Sequence, residues 1–181
     1  MKELSLNILD VTENSVSAGA KNILVSLIED EKGILTLTIK DNGCGMTPEV
    51  VKSVIDPFYT TRTTRKVGLG VPLLKLAAEQ TGGAINIESE VGVGTTVTAT
   101  FDTKSIDFTP IGDMTSTLVT LIMGAPDIDF EYIHQKPGAE VTLSTLQLRE
   151  VLGDVSLGMP EVLEWIREYL TEQYKNFGGI N

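Results

Sequence analysis

Asp10 and Asn14 stand four residues apart in DVTENSVSAGA, Asp41 heads DNGCGM, and Gly68-Leu69-Gly70 opens GLGVP. Residues four apart stack on one helix face, so a carboxylate and an amide lie one turn from each other. An amide oxygen such as that of Asn14 is a hard ligand suited to Mg²⁺, which takes few protein ligands and fills its shell with phosphate and water. An isolated helix asparagine is otherwise a surface residue. A strand-end Asp before Gly-x-Gly can accept the exocyclic amine of adenine, with Asn42, Gly43 and Gly45 shaping the turn through to Met46 and the glycines admitting a flat base to the backbone. Taken alone, the same residues make a plain Asp-Asn-Gly turn. Gly68, Leu69 and Gly70 lead into a helical pattern whose first N–H groups and positive dipole end can hold a triphosphate. A lone Gly-Leu-Gly before a helix is also a common packing device.

The elements that must carry these groups are legible in the pattern. Leu4, Ile8, Val11 and Ser15 recur at helical spacing, which predicts a helix over 2–17 with Gly19 available as a left-handed cap. The β-branched runs 23–28 and 34–39 flank Asp30-Glu31-Lys32-Gly33, a hairpin signal. Thr47 and Pro48 read as the N-cap and first position of a short helix over 48–54. Residues 69–81 are helical up to Gly82-Gly83, and 84–88 pairs with 95–101 around Val91-Gly92-Val93-Gly94. Beyond Thr103 the pattern predicts a helix over 114–123, strands over 128–134 and 140–143, and amphipathic helices over 146–152 and 161–174. The two strands are expected to form a hairpin covering a sheet edge, with Leu163 and Trp165 packed against it.

Composition narrows the function classes. Twenty-five acidic against 14 basic residues give a net charge of −11, which argues against a broad nucleic-acid footprint because phosphate neutralisation needs clustered Lys and Arg. No apolar run reaches membrane-spanning length, and MKELSLNILD lacks the basic start and apolar stretch of a signal peptide. A cytoplasmic protein is the expectation. Cys44, the single cysteine, has no basic or metal partner nearby in sequence and reads as a buried inert thiol. His134, the single histidine, sits in an alternating strand and reads as structural or surface rather than as a phosphoacceptor.

Four segments taken together, Asp10 to Ala20, Asp41 to Met46, Asp56 to Thr61 and Gly68 to Pro72, resemble in order and spacing the ATP site of the GHKL family, which includes gyrase B subunits, mismatch-repair ATPases, histidine-kinase catalytic domains and anti-sigma-factor serine kinases. The resemblance covers residues 1 to about 102. GLGVPLLKLAAEQTGGAINIESEVGVGTT looks most like a histidine-kinase catalytic domain, whereas TENSVSAGAKNI looks more like the mismatch-repair and gyrase branch. It implies an α+β architecture, the two-layer α/β sandwich of the Bergerat ATP-binding fold, over residues 1–103. Residues 104–181 would form a small C-terminal α/β extension that binds a partner or covers the sheet.

The same resemblance implies roles for individual residues. ATP and Mg²⁺ would be the cofactors. Asp10 takes the position of the catalytic carboxylate, one methylene shorter than the usual Glu, and Glu13 a structural or surface role. FYTTRTTRK corresponds to the ATP lid, where Thr60, Thr61 and Arg62, Arg65 or Lys66 approach the phosphates and Phe58 packs the lid base. Thr95, with Thr96 as second choice, corresponds to the threonine that reaches adenine through water beside Asp41. No phosphoacceptor module is expected ahead of the first helix, and the C-terminal part does not resemble the transducer domain that carries a lysine to the γ-phosphate in gyrase-like enzymes, with Lys136 left open as such a lysine. The implied activity is an ATP-dependent kinase, a transferase acting in trans on a protein partner in bacterial signal transduction. A nucleotide-gated binding module with slow or no turnover is the competing reading.

Overall fold

The computed structural model describes residues 3–56 and 70–178. Helix α1 (Leu4–Ser17) buries Leu4, Ile8, Val11 and Ser15 along one stripe, and Gly19 follows it at φ 77°, a conformation glycine adopts without a Cβ penalty. Strands β1 (Asn22–Glu29) and β2 (Ile34–Asp41) are joined by a turn in which the Asp30 carboxylate accepts from the N–H groups of Lys32 and Ile34 at 2.8 and 2.9 Å. Thr47 caps α2 (Pro48–Ile55) by accepting from the Val50 N–H at 3.3 Å. After α3 (Gly70–Gln80) come β3 (Ile85–Glu90) and β4 (Gly94–Asp102).

The remaining elements are α4 (Met114–Gly124), β5 (Asp129–Lys136), β6 (Ala139–Ser144), α5 (Thr145–Leu152) and α6 (Pro160–Asn176). All six strands make one mixed sheet in the order β3-β4-β2-β1-β5-β6. Its buried face carries Val25, Leu37, Val97, Tyr132 and Leu143, and the helices α1, α3, α4 and α6 pack over that side. The opposite face presents half-exposed threonines, Thr36, Thr38, Thr98 and Thr100 among them, as the two-residue side-chain period requires. The fold is the α+β, two-layer arrangement that the sequence leads one to expect.

The hairpin expected from residues 128–134 and 140–143 forms, and it extends the sheet itself. Strand β5 pairs in parallel with β1, Ile23 opposite Phe130 and Leu27 opposite His134, and β6 then pairs antiparallel with β5. Thr145 receives the Phe130 N–H at 2.8 Å, while Arg149 on α5 reaches Asp129 at 2.7 Å and the carbonyls of Pro126 and Ile128. Trp165 does not pack on the hairpin as expected. The buried stripe of α6 is Val162, Ile166 and Leu170, which turns Trp165 outward to 48% exposure, while Leu163 is half-buried against the core.

His134 is structural. It is buried at the β5–α6 contact, where Nδ1 lies 2.9 Å from the Tyr174 hydroxyl, itself 2.6 Å from the Tyr132 hydroxyl. Burial, with a smaller contribution from Lys136, lowers its pKa from 6.5 to about 4. A histidine depressed in this way stabilises the fold above pH 6.5 and loses that contribution as pH falls toward 4. Urea unfolding should therefore weaken by roughly 2 kcal/mol between pH 7.5 and pH 5. His134→Leu should flatten this limb of the profile, and a His134→Leu profile as steep as the wild type would refute the assignment.

Candidate functional site

Asp41 ends β2 between two neighbours, with Ile23 opposite it on β1 and Thr95 opposite it on β4. Its carboxylate is buried at 9% exposure. One oxygen accepts from the Ser15 hydroxyl at 2.6 Å and the other from the Gly43 N–H at 2.8 Å. A carboxylate oxygen can take two donors, so each retains capacity for one more. Ser15 was not among the residues singled out from sequence as site candidates. The available signal was a hydroxyl at the fourth position of the otherwise apolar stripe Leu4, Ile8, Val11, Ser15.

Around this carboxylate lies a cavity between α1 and the sheet. Asn14, Asp41 and Thr95 contribute polar groups, with Cys44, Gly45 and Met46 at the turn. Val11, Val54, Val71, Ile87 and Val97 supply apolar walls. The cavity holds about 60 Å³ as it stands, and its apolar walls with a few fixed polar groups are the kind of lining a flat, partly polar heterocycle takes. Ser89, a second residue the sequence reading passed over, joins the two sides. Its hydroxyl accepts from the Met46 N–H at 2.8 Å, donates to the Gly94 carbonyl at 3.1 Å and sits 2.8 Å from the Thr95 hydroxyl. Thr95 is thereby held beside Asp41. Thr96 lines a groove with Lys40, Asn42 and Glu88, so the cavity brings in the first of the two threonines and not the second.

The glycines of the turn answer to the protein's own packing. A Cβ on Gly43 would stand 2.9 Å from the Ala18 side chain, and one on Gly45 would collide with the Glu90 carbonyl. Gly45 also has φ 72°. Cys44 bonds this turn to its neighbours, its N–H to Ala18 at 2.9 Å and its carbonyl to the Gly92 N–H at 2.8 Å. The thiol itself is exposed, contrary to the buried thiol expected, because the backbone rather than the side chain is turned into the contact. Asn42 fastens the start of β1 by accepting from the N–H groups of Lys21 and Asn22 at 2.8 and 2.9 Å.

Asp10 and Asn14 follow each other along α1, Asp10 exposed and Asn14 half-buried at the cavity, while Glu13 points to solvent. Gly70 begins α3 directly against Asp10, since a Cβ there would lie 2.9 Å from that of Asp10. The Asn7 amide holds the same turn by donating to the Gly70 carbonyl at 3.3 Å. Thr60, Thr61, Lys66, Gly68 and Leu69, with Phe58, Arg62 and Arg65, lie outside the described residues. Lys136 is not near the site. It follows Gln135, which pairs with Ile28, whereas Asp41 pairs with Ile23, a separation of about 20 Å at ~3.3 Å per residue; its ammonium lies over the Phe177 ring at 4.5 Å.

A buried strand-end carboxylate, a helix that carries an asparagine past it and a second helix starting against the first meet at one end of the sheet. Residues 1–105 match the family model of histidine kinase-, DNA gyrase B-, and HSP90-like ATPases, and the chain belongs to that family. The sensor protein SrrB of Staphylococcus aureus, in strains NCTC 8325 / PS 47 and COL, is 35% identical over 101 residues. That match takes in 53% of this chain and 17% of SrrB, so the chain corresponds to a small part of that relative. Among solved structures, the Aquifex aeolicus MutL ATPase domain complexed with ADP superposes with a TM-score of 0.51 at 16% identity, covering 84% of this chain and 69% of the other. At that identity the likeness concerns the fold.

Three variants test the packing of the site. Ser15→Ala removes a hydrogen bond to a buried carboxylate and should lower the unfolding free energy by about 1.5–3 kcal/mol. Gly19→Ala and Gly45→Ala impose the same left-handed strain, roughly 1–2 kcal/mol, but nothing lies within 4 Å of a Cβ at Gly19. Denaturant unfolding should show Gly45→Ala the more damaging of the pair; equal losses would mean that the Gly45–Glu90 contact is not rigid.

Proposed function

We propose that this chain binds ATP with Mg²⁺ in the cavity at Asp41 and transfers the γ-phosphoryl group to a hydroxyl or imidazole of a protein partner. The observation that carries the nucleotide part is the Asp41 carboxylate, held by Ser15 and Gly43 with Thr95 beside it and open capacity on both oxygens. Adenine would enter among the apolar walls and give its amine to that carboxylate. Gly43, Gly45 and Met46 would border the base, and Thr95 would reach it through water. Thr96, the second choice, lines the groove beside Lys40 and Glu88. Gly68, Leu69, Gly70, Thr60, Thr61 and Lys66 are the proposed phosphate contacts.

The donor set fits magnesium bound mainly through its phosphates. Asn14 offers one amide oxygen at the cavity, and among the described residues no group of three His, Cys, Asp or Glu could cage an ion. When bound, Mg²⁺ neutralises charge on the phosphates and the leaving group. The side chains supply position and proton handling. Asp10, exposed one turn before Asn14 on α1 and in contact with the start of α3, would accept the proton of the attacking hydroxyl or imidazole. A bond then forms from that atom to the γ-phosphorus as the bond to the bridging oxygen breaks and ADP leaves. Support for a signalling partner comes from the relatives, which are named sensor proteins. The shorter reach of Asp10 compared with Glu favours slow turnover, which also suits a nucleotide-gated switch.

Two measurements separate these claims. GTP presents a carbonyl where ATP presents the amine, leaving two acceptors face to face at a cost of roughly 1–3 kcal/mol, so ATP should bind about 5- to 150-fold more tightly. Asp41→Asn should weaken ATP binding without unfolding the chain; equal affinity of the wild type for ATP and GTP would remove Asp41 from base recognition. In γ-labelled phosphate assays, Asp10→Asn should keep nucleotide affinity and lower turnover, and Asn14→Ala should weaken Mg²⁺-dependent binding itself. Turnover untouched in Asp10→Asn would exclude that residue as the base and favour the switch.

A further inference from the structure

We infer that the groove between α5 and α6 is the docking site for a basic amphipathic helix of a protein partner. The groove holds about 360 Å³ and is lined by Leu148, Val151 and Leu152 of α5 and by Val162 and Trp165 of α6, with Glu161 its one charged wall. Val151 is 85% exposed, and Trp165 stacks on the exposed Tyr169 with centroids 5.0 Å apart and rings 10° from parallel. Exposed, mutually ordered aromatics beside an aliphatic cleft are the kind of surface on which binding energy concentrates. Eight residues of α5 offer a wall of about 12 Å, enough for two turns of a partner helix presenting anchors at i, i+3 or i+4, and i+7.

Charge around the groove selects the occupant. Glu161 lines the groove, Glu164 and Glu168 follow it exposed on α6, Asp154 is exposed in the loop that joins the two helices, and among the described residues no ion pair neutralises them. The cations of these helices are committed elsewhere: Arg149 to Asp129 and two carbonyls, Arg167 to the Ser116 hydroxyl on α4, Lys175 to Glu172. A helix with lysines or arginines flanking its apolar anchors complements this rim and is steered toward it. A second copy would set the same carboxylates against each other, on a chain of net charge −11. An anionic bilayer surface is repelled for the same reason.

The test uses the full chain and three labelled peptides followed by fluorescence anisotropy: a Leu/Lys helix with leucines at i, i+3, i+4 and i+7, a scrambled peptide of identical composition, and the Leu/Glu counterpart. The patterned Leu/Lys peptide should bind, shift the emission of Trp165, the chain's single tryptophan, to shorter wavelength, and weaken with salt. The scrambled peptide should bind at least tenfold less tightly and the Leu/Glu peptide not at all. Val151→Asp should cost the patterned peptide at least tenfold although it adds negative charge, which by itself would strengthen simple adsorption of a cation. Ile106→Asp, at a position 98% exposed and outside the groove, adds the same charge and should leave binding unchanged. Equal binding of the scrambled peptide, or full binding by a folded Val151→Asp variant, would overturn the inference. So would self-association abolished by Val151→Asp, or a larger emission shift with phosphatidylglycerol vesicles than with the peptide.

Discussion

The pairing of the Asp41 carboxylate with the Ser15 hydroxyl and the Gly43 N–H is the contact on which the site depends. A buried carboxylate is costly unless its oxygens are satisfied, and here the donors come from two different elements, α1 and the turn after β2. Satisfying Asp41 therefore fixes the height of α1 along the strand end. Asn14 precedes Ser15 directly and Asp10 lies one turn earlier, so the placement of both follows from that one bond. Gly43 against Ala18, Gly45 against Glu90 and Ser89 between Met46 and Thr95 then lock the turn to the end of α1 on one side and to β3 and β4 on the other.

The C-terminal elements act on the same sheet from its other edge. Without β5, strand β1 would present an open row of backbone donors and acceptors; with it, the parallel register Asn22 to Ile28 against Asp129 to Gln135 continues the sheet. Strand β1 is therefore paired on both sides, by β2 and by β5, and it carries Ile23 next to Asp41. The His134, Tyr132 and Tyr174 cluster ties α6 to β5. What α6 and α5 leave outward is an apolar and acidic surface remote in character from the nucleotide cavity.

Most of this was legible in the sequence where local chemistry decides. The helix read over 2–17, the Asp30 to Gly33 turn, the Thr47-Pro48 start and the Asp41 turn each carry their own signal, and the four boxes together identify the family. Positions set by tertiary contact were harder. Ser89 looks like any strand serine until β3 and β4 bring it to Met46, and the contacts of the glycines at 43 and 45 with Ala18 and Glu90 exist only once the strands are assembled. Trp165 is expected to pack on the β5–β6 hairpin, but the 162, 166, 170 stripe takes the buried face of α6 and leaves it outside. Cys44 reads as a buried thiol because no basic or metal partner lies near it in sequence, and the hydrogen bonds of its own backbone turn it out. Lys136 could be placed only once the parallel register of β5 put it at the opposite end of the sheet.

A structure of the full chain with ADP and Mg²⁺ bears most directly on Asp41. The adenine amine should lie within hydrogen-bond distance, about 3 Å, of the Asp41 carboxylate, with the Ser15 and Gly43 bonds to that carboxylate kept and the base between the apolar walls of Val11, Met46 and Val97. A nucleotide seated elsewhere, for example on the threonine face beside Lys40 and Glu88, or a base that leaves Asp41 uncontacted, would contradict the assignment of this cavity.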